Sequence, residues 1–156
     1  MEIKKVKTDI FVPADVIELI NGYLGKTNNI IPVLFHMVDQ GQLTWDAVRC
    51  AIHNLETGYL KFTYVRKFGD DGVEPKGGCT VVFATPEHLS NTVLTVAISW
   101  CNEKDTFYPK LGRLLAAINF VRNHTVQIRL MEQGRWSEQL KYIFGPCVGN
   151  QRVFEN

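Results

Sequence analysis

The spacing of apolar residues changes from a helical period to a strand period near residue 59. Before that point, apolar residues recur every three or four positions in three stretches, which is typical of amphipathic helices that bury one face. Each stretch also has the start and stop signals of a helix. The signals that begin the three helices are Pro13, Asn28 or Asn29, and Thr44, and those that end them are Gly25, Gly41 and Gly58.

Apolar and polar residues then alternate, as they do along a strand with one buried face. The alternation predicts a strand at 59–68, and short apolar stretches predict two more at 79–84 and 92–101, with a glycine-rich turn between the first two strands. Short connections between successive strands favour an antiparallel meander. Looser alternation at 2–12 and an apolar stretch at 125–130 predict two further strands.

The strongest helical pattern in the chain covers about residues 106–122, where one apolar stripe continues over the whole stretch. Asp105 or Thr106 is the predicted N-cap of this helix. A last helix is predicted at 136–144, where Gly145 ends it. On the helix at 106–122, the face predicted to lie opposite the stripe carries Lys110, Arg113 and Ala117.

These elements predict an α+β fold with three N-terminal helices, an antiparallel sheet of three to five strands and a long amphipathic helix. The length fits a single domain over 1–156. Its successive parts are a helical front at 13–58, a hairpin and strand at 59–101, and a helix with C-terminal elements at 102–147.

The net charge of the chain is +1, from 17 basic and 16 acidic residues, which disfavours nucleic acid as a partner. The charge is unevenly placed, however. Residues 13–58 carry five acids and two bases, whereas residues 103–135 carry six bases and three acids. An anionic ligand is therefore expected to bind in the C-terminal half of the chain.

No apolar run approaches the roughly 20 residues of a membrane span. The N-terminus also lacks the apolar core of a signal peptide, because charged and apolar residues alternate there. We therefore expect a cytoplasmic protein without a membrane partner.

The four cysteines lie far apart in the chain, and they form no cluster with the four histidines that has the spacing of a zinc site. No phosphate-binding loop, nucleophile elbow or carboxylate motif is present either. Catalysis is therefore disfavoured, and neither a metal nor a cofactor is predicted. The residues expected to be free thiols in a reducing compartment are Cys50, Cys79, Cys101 and Cys147.

The segment 99–120 predicts a strand that ends in a polar loop and is followed at once by an aromatic helix start. Loops at strand ends and the free N–H groups of helix N-termini are common positions for anionic ligands. Basic residues in the first turns of the helix add positive charge. The predicted ligand- or partner-binding residues are Asn102, Lys104, Asp105, Lys110 and Arg113.

The same segment carries a pattern of seven residues, namely Cys101, Lys104, Asp105, Phe107, Gly112, Arg113 and Ala116. In these residues it resembles the strand and helix of small bacteriophage accessory proteins. The resemblance implies a phage context, in which such proteins bind and inhibit or sequester a host protein or a nucleotide signal. We therefore predict a non-enzymatic interaction protein whose partner is a host protein or a small anionic ligand. The many aromatic residues also suit a homo-oligomer.

The three helices and the hairpin over 13–84 resemble a winged-helix domain, in which the third helix enters the major groove and the hairpin contacts the DNA backbone. This resemblance implies a DNA-binding transcriptional regulator as the alternative function. The acidic excess in 13–58 opposes it, because affinity for DNA depends largely on neutralising phosphates with Lys and Arg. The residues implied are Asp46, Arg49, Cys50 and His53 on the reading helix, and Arg66, Lys67 and Lys76 on the wing.

Overall fold

The computed structural model describes residues 12–25, 30–84, 93–130 and 135–148. They form an α+β fold, as predicted from the sequence. The helices are α1 (Ala14–Leu24), α2 (Ile30–Asp39), α3 (Trp45–Glu56), α4 (Pro109–Val121) and α5 (Trp136–Phe144), and a 3-10 turn follows at Pro146–Val148. The strands are β1 (Leu60–Val65), β2 (Phe68–Gly69), β3 (Gly72–Val73), β4 (Cys79–Ala84), β5 (Val93–Trp100) and β6 (Val126–Arg129).

The first and third helices begin and end where the sequence signals indicate. Pro13 precedes α1 with φ −61°, and Gly25 follows it in the left-handed region at φ +78°. The Thr44 side chain caps α3 by accepting a hydrogen bond from Ala47 N at 3.2 Å. Two predictions lie outside the described residues, namely the helix cap at Asn28 or Asn29 and the strand at 2–12 apart from its last residue.

Four strands form an antiparallel sheet in the order β1, β4, β5, β6. The register pairs Leu60 with Ala84 and Val65 with Cys79 across β1 and β4, and Cys79 in turn faces Trp100 of β5. β2 and β3 form a separate two-stranded ribbon at the tip of the β1–β4 hairpin. The predicted meander is therefore confirmed, and β6 is its fourth strand.

Helices cover both faces of this sheet. Leu60 packs into a core shared with α1 to α4, and Val82 and Ala97 pack against α4 on the same face. On the opposite face, Leu140 and Phe144 of α5 pack against the sheet. Because successive side chains of a strand point to opposite faces, the central strand β4 contributes alternately to both cores. The sheet is thereby the middle layer of the fold.

Helix α4 begins at Pro109, which is later than the sequence predicts. Tyr108 occupies the N-cap without a side-chain hydrogen bond, so the predicted caps Asp105 and Thr106 are wrong. The backbone at both positions is used elsewhere, because Gly77 N donates to Asp105 O at 3.1 Å and Thr106 forms a β-bridge with the hairpin tip. These tertiary contacts keep the residues extended where local signals favour a helix start.

Helix α4 lies between the sheet and the N-terminal helices, and it therefore buries more than one face. Ala117 is fully buried and Arg113 is partly buried, whereas Lys110 is exposed. The face that carries these three residues is therefore not uniformly exposed, although it is predicted to lie opposite the buried stripe. The apolar stripe alone does not reveal that α1 and α3 cover a second side of the helix.

Candidate functional site

The loop between β5 and α4 is held in shape by its own hydrogen bonds. The Asn102 side-chain oxygen accepts from Lys104 N at 2.9 Å, and Asn102 O accepts from Asp105 N at 2.9 Å. The Cys101 thiol donates to Asp105 O at 3.3 Å. Asparagine often forms turns by bonding the backbone two residues further on, so this loop is specified locally.

Three backbone hydrogen bonds join this loop to residues 75–78, which lie at the tip of the β1–β4 hairpin between β3 and β4. They run from Gly77 N to Asp105 O at 3.1 Å, from Cys101 N to Gly78 O at 2.9 Å, and from Phe107 N to Pro75 O at 2.9 Å. Gly78 has φ +91°, and a Cβ there would stand 2.8 Å from Val65 O, so this close approach requires glycine. The contact brings Lys76 beside the loop.

A groove of about 580 Å³ opens between the loop, the hairpin tip and the first turns of α4. Thr80 lies in its wall, and its fully buried hydroxyl has no hydrogen-bond partner among the described residues. Tyr108 also lines the groove, with 63% of its surface exposed. Trp100 borders the groove at the end of β5, but its ring centroid lies 6.4 Å from that of Phe144 on the opposite face of the sheet. We call it the polar groove, and its polar lining includes Lys76, Thr80, Ser99, Asn102, Lys104 and Asp105.

A second groove, of about 760 Å³, lies between α4, the end of α1 and the start of α2. Apolar side chains form most of its wall, and Lys110 and Arg113 supply positive charge. We call it the apolar groove. Its lining comprises Leu24, Ile30, Val33, Pro109, Lys110 and Arg113, together with Tyr108 and Leu111, which line the polar groove as well.

The structure divides the predicted binding residues between the two grooves. Asn102, Lys104 and Asp105 line the polar groove, whereas Lys110 and Arg113 line the apolar groove. The division follows from the late start of α4. The loop residues before Pro109 lie beside the hairpin tip, whereas Lys110 and Arg113 lie on the helix, beside the end of α1 and the start of α2. Their role in binding stays a prediction.

The Arg113 side chain lies near two aromatic rings and also lines the apolar groove. Its guanidinium carbon lies 4.6 Å from the ring centroid of Phe62 and 5.6 Å from that of Tyr23. Its Nε is buried and has no hydrogen-bond partner among the described residues. Burial raises the pKa of Tyr23, and the positive charge of Arg113 partly opposes that rise. The rings therefore fix the position of the cation without neutralising it.

Several residues of the two grooves were not predicted from the sequence. Thr80 lies in an apolar strand, where a hydroxyl gives no sign of an unfilled hydrogen bond. Phe62 follows the strand alternation, and Tyr23 follows the helical stripe of α1, so both resemble ordinary core residues. Tyr108 offered the better signal, since binding residues are frequently found on the loops that connect helices and strands.

The reading helix of the winged-helix alternative carries a neutralised cation. Arg49 Nε donates to Asp15 Oδ2 at 2.8 Å, and its Nη1 bonds Asp46. The hydrogen bond from Arg49 also lowers the pKa of Asp15. Both carboxylates are exposed, so this surface presents negative charge beside its one arginine.

The cationic residues predicted for the wing lie in different surroundings. Arg66 Nη2 donates to Glu74 O at 3.0 Å, and its guanidinium lies 4.3 Å from the ring centroid of Phe107. Lys67 is partly buried, and Lys76 lines the polar groove. A role of these residues in DNA binding stays a prediction.

The side chains of the polar groove are suited to binding an anion. They supply two ammonium groups, hydroxyls and an amide, together with the carboxylate of Asp105. Within the described parts of the chain, no three His, Cys, Asp or Glu side chains gather where they could hold a metal ion. The described helices also include none that is long and apolar enough to cross a bilayer. No protein-family model matches this chain, and neither does any curated protein or any solved structure.

Proposed function

We propose that this protein is a non-enzymatic binding protein of the bacteriophage accessory type, which sequesters a small anionic ligand with a planar ring in the polar groove. A nucleotide signal of the host has this chemistry. The observation that carries the proposal is the grouping of Lys76 and Lys104 with the exposed ring of Tyr108 around one groove.

Hydroxyl and amide groups in the lining support a polar ligand. Ser99 is partly exposed and Asn102 is exposed, and both line the groove. Thr80 lies directly opposite Ser99 but is fully buried beneath Gly112, so its hydroxyl is not accessible from the groove. A ligand oxygen or ring nitrogen can therefore bond the Ser99 hydroxyl and the Asn102 amide.

The cations support a negatively charged ligand. Lys76 from the hairpin tip and Lys104 from the loop both line the groove, and the first turn of α4 borders it. The N–H groups of a first helical turn lack intrahelical partners and favour negative charge. Phosphate is the anion that such a combination of lysine and helix start commonly binds.

An exposed aromatic residue supports a planar ring. Tyr108 lines the groove from the start of α4, with 63% of its surface exposed. Stacking of a nucleobase on an aromatic side chain contributes about 1–3 kcal/mol. Asp105 and Asn102 add acceptors that a ribose hydroxyl or an exocyclic amine can use.

Isothermal titration calorimetry of the full chain tests this proposal with four probes. AMP and ATP combine a ring with phosphate, adenosine has the ring alone, and tripolyphosphate has the charge alone. We expect the nucleotides to bind at least tenfold more tightly than either partial probe, because only they engage both the Tyr108 ring and the cations.

Variants locate the binding in the polar groove. We expect Lys104→Gln and Lys76→Gln each to raise the Kd of ATP about tenfold, because a charge-assisted hydrogen bond contributes about 1.5–3 kcal/mol. Tyr108→Ala removes the stacking surface and should weaken AMP by a similar factor. Lys61→Gln is the matched control, since Lys61 is exposed on β1 and lines neither groove. The absence of nucleotide binding at millimolar concentration would contradict the proposal.

A further inference from the structure

We infer that the apolar groove is a second binding site, which takes a small amphiphilic anion, namely a carboxylate with an apolar tail. This site differs from the polar groove in its cations and its ligand class, and the two grooves share only Tyr108 and Leu111 of their lining. The inference rests on the side chains around Arg113 and does not depend on nucleotide binding.

The walls of the groove favour an apolar tail. Leu24, Ile30, Val33, Pro109 and Leu111 line it, and Val33 keeps 52% of its surface exposed. The volume of about 760 Å³ lies within the range of roughly 300–1,000 Å³ that is typical of small-molecule sites. Covering these side chains with a tail would remove apolar surface from water, which is favourable in proportion to the area buried.

The cations of the groove favour an anionic head. Arg113 and Lys110 both line it, and neither forms an ion pair with another described residue. The guanidinium lies near the rings of Phe62 and Tyr23, which accept no conventional N–H hydrogen bond, and its Nε has no hydrogen-bond partner among the described residues. A carboxylate matches a guanidinium because its two oxygens can accept two parallel N–H bonds.

The same arrangement disfavours a neutral ligand. A neutral tail would cover Arg113 and Lys110 without pairing their charges, and burying an unpaired charge is costly. No acidic residue lines this groove among the described residues, so the compensating charge has to come from the ligand.

Titration of the full chain with dodecanoate, below the concentration at which it forms micelles, tests this inference. Dodecanol has the same tail without charge, and acetate has the charge without the tail. We expect dodecanoate to bind at least tenfold more tightly than either. Equal binding of dodecanol, or of acetate, would overturn the inference. Dodecyl phosphate is included to identify the head group. If it binds more tightly than dodecanoate, the assignment of a carboxylate head group is overturned.

Two exposed positions place the ligand in the groove without disturbing the core. Lys110→Gln should raise the Kd of dodecanoate about tenfold, and Val33→Asp should abolish its binding. Arg113→Met is a third variant, whose folding is checked by circular dichroism because Arg113 packs on Phe62. Lys61→Gln is again the control and should bind dodecanoate like the wild type. Unchanged affinity in both Lys110→Gln and Val33→Asp would refute the site.

Discussion

Gly112 of α4 lies directly against Thr80 of β4. A Cβ at position 112 would overlap the Thr80 hydroxyl and stand 3.3 Å from the Thr80 Cβ. The absence of a side chain at Gly112 thus allows the helix to approach the sheet closely, and this contact forms part of the wall of the polar groove.

Gly112→Ala is expected to destabilise the protein, although alanine is the better helix former. The helix propensity of alanine would contribute about 1 kcal/mol, but forcing extra volume into a packed site typically costs about 1–3 kcal/mol. We expect a net loss of about 1 kcal/mol in the free energy of unfolding, measured by urea denaturation. In the double variant with Thr80→Ala, the loss from Gly112→Ala should shrink, because the overlapping hydroxyl is gone.

Gly22→Ala provides the matched control for that experiment. Gly22 lies inside α1, and a Cβ there would meet no atom within 4 Å. Alanine should therefore raise the free energy of unfolding by up to about 1 kcal/mol through helix propensity alone. If both glycine variants change stability in the same direction, the close contact at Gly112 is not the cause.

Thr44→Ala is expected to weaken the start of α3. The Thr44 hydroxyl accepts the hydrogen bond of Ala47 N, and loss of such a cap typically costs about 1 kcal/mol. Urea denaturation should show this loss, while Thr44→Ser should retain most of the stability. Equal destabilisation by serine and alanine would show that the hydroxyl bond is not what stabilises the helix end.

Alkaline pH is expected to destabilise the fold through Cys79. Burial raises the pKa of this thiol to about 12, from 9.0 for an exposed thiol. Between these values the unfolded chain loses the proton and the folded chain keeps it, so the free energy of unfolding falls as pH rises. The contribution is fully present below pH 9 and is lost as the pH approaches about 12, with a slope of at most about 1.4 kcal/mol per pH unit.

Cys79→Ala isolates this contribution. The variant loses packing at all pH values, but its stability should fall less steeply than that of the wild type above pH 9. Iodoacetamide labelling followed by mass spectrometry gives an independent measure. The exposed Cys50 and Cys147 should react in the folded protein, and the buried Cys79 should react only after denaturation. If the free energy of unfolding of the wild type and of Cys79→Ala falls equally steeply above pH 9, the assignment of this pH dependence to Cys79 is contradicted.

Duplex DNA is expected to show no salt-dependent binding to this protein. Arg49 is paired with Asp15 and Asp46, whose carboxylates would repel phosphates at the predicted reading helix. A gel shift at about 50 mM salt, where phosphate contacts are strongest, is the measurement. Retardation that is lost when Arg49 and Lys67 are changed to Glu would instead establish the winged-helix alternative.

Much of the fold could be predicted because the residues that begin and end its helices and strands are close to one another in the sequence. Pro13, Thr44 and Gly25 set the ends of helices through their own backbone and hydroxyl groups, and the strand alternation gave the meander. The start of α4 was missed for the opposite reason. Asp105 and Thr106 are bonded to the hairpin tip, which is distant in sequence and close only in the folded chain.

The candidate site was predictable only in part. The loop residues Asn102, Lys104 and Asp105 follow a strand, and their polarity was sufficient to single them out. The division from Lys110 and Arg113 depends on α1 and α2 packing beside α4, which no local pattern reveals. The unfilled hydrogen bond of Thr80 likewise arises from its position between layers.

Tyr108 lines both grooves, and this shared wall has a thermodynamic consequence. If both grooves take ligands, a ligand in either one would restrict the phenol ring that the other ligand also contacts, and the two binding free energies would be coupled. Whatever factor the first ligand imposes on the affinity of the second, the second must impose on the first. The N-cap of α4 would then act as a junction through which the occupancy of one groove is communicated to the other.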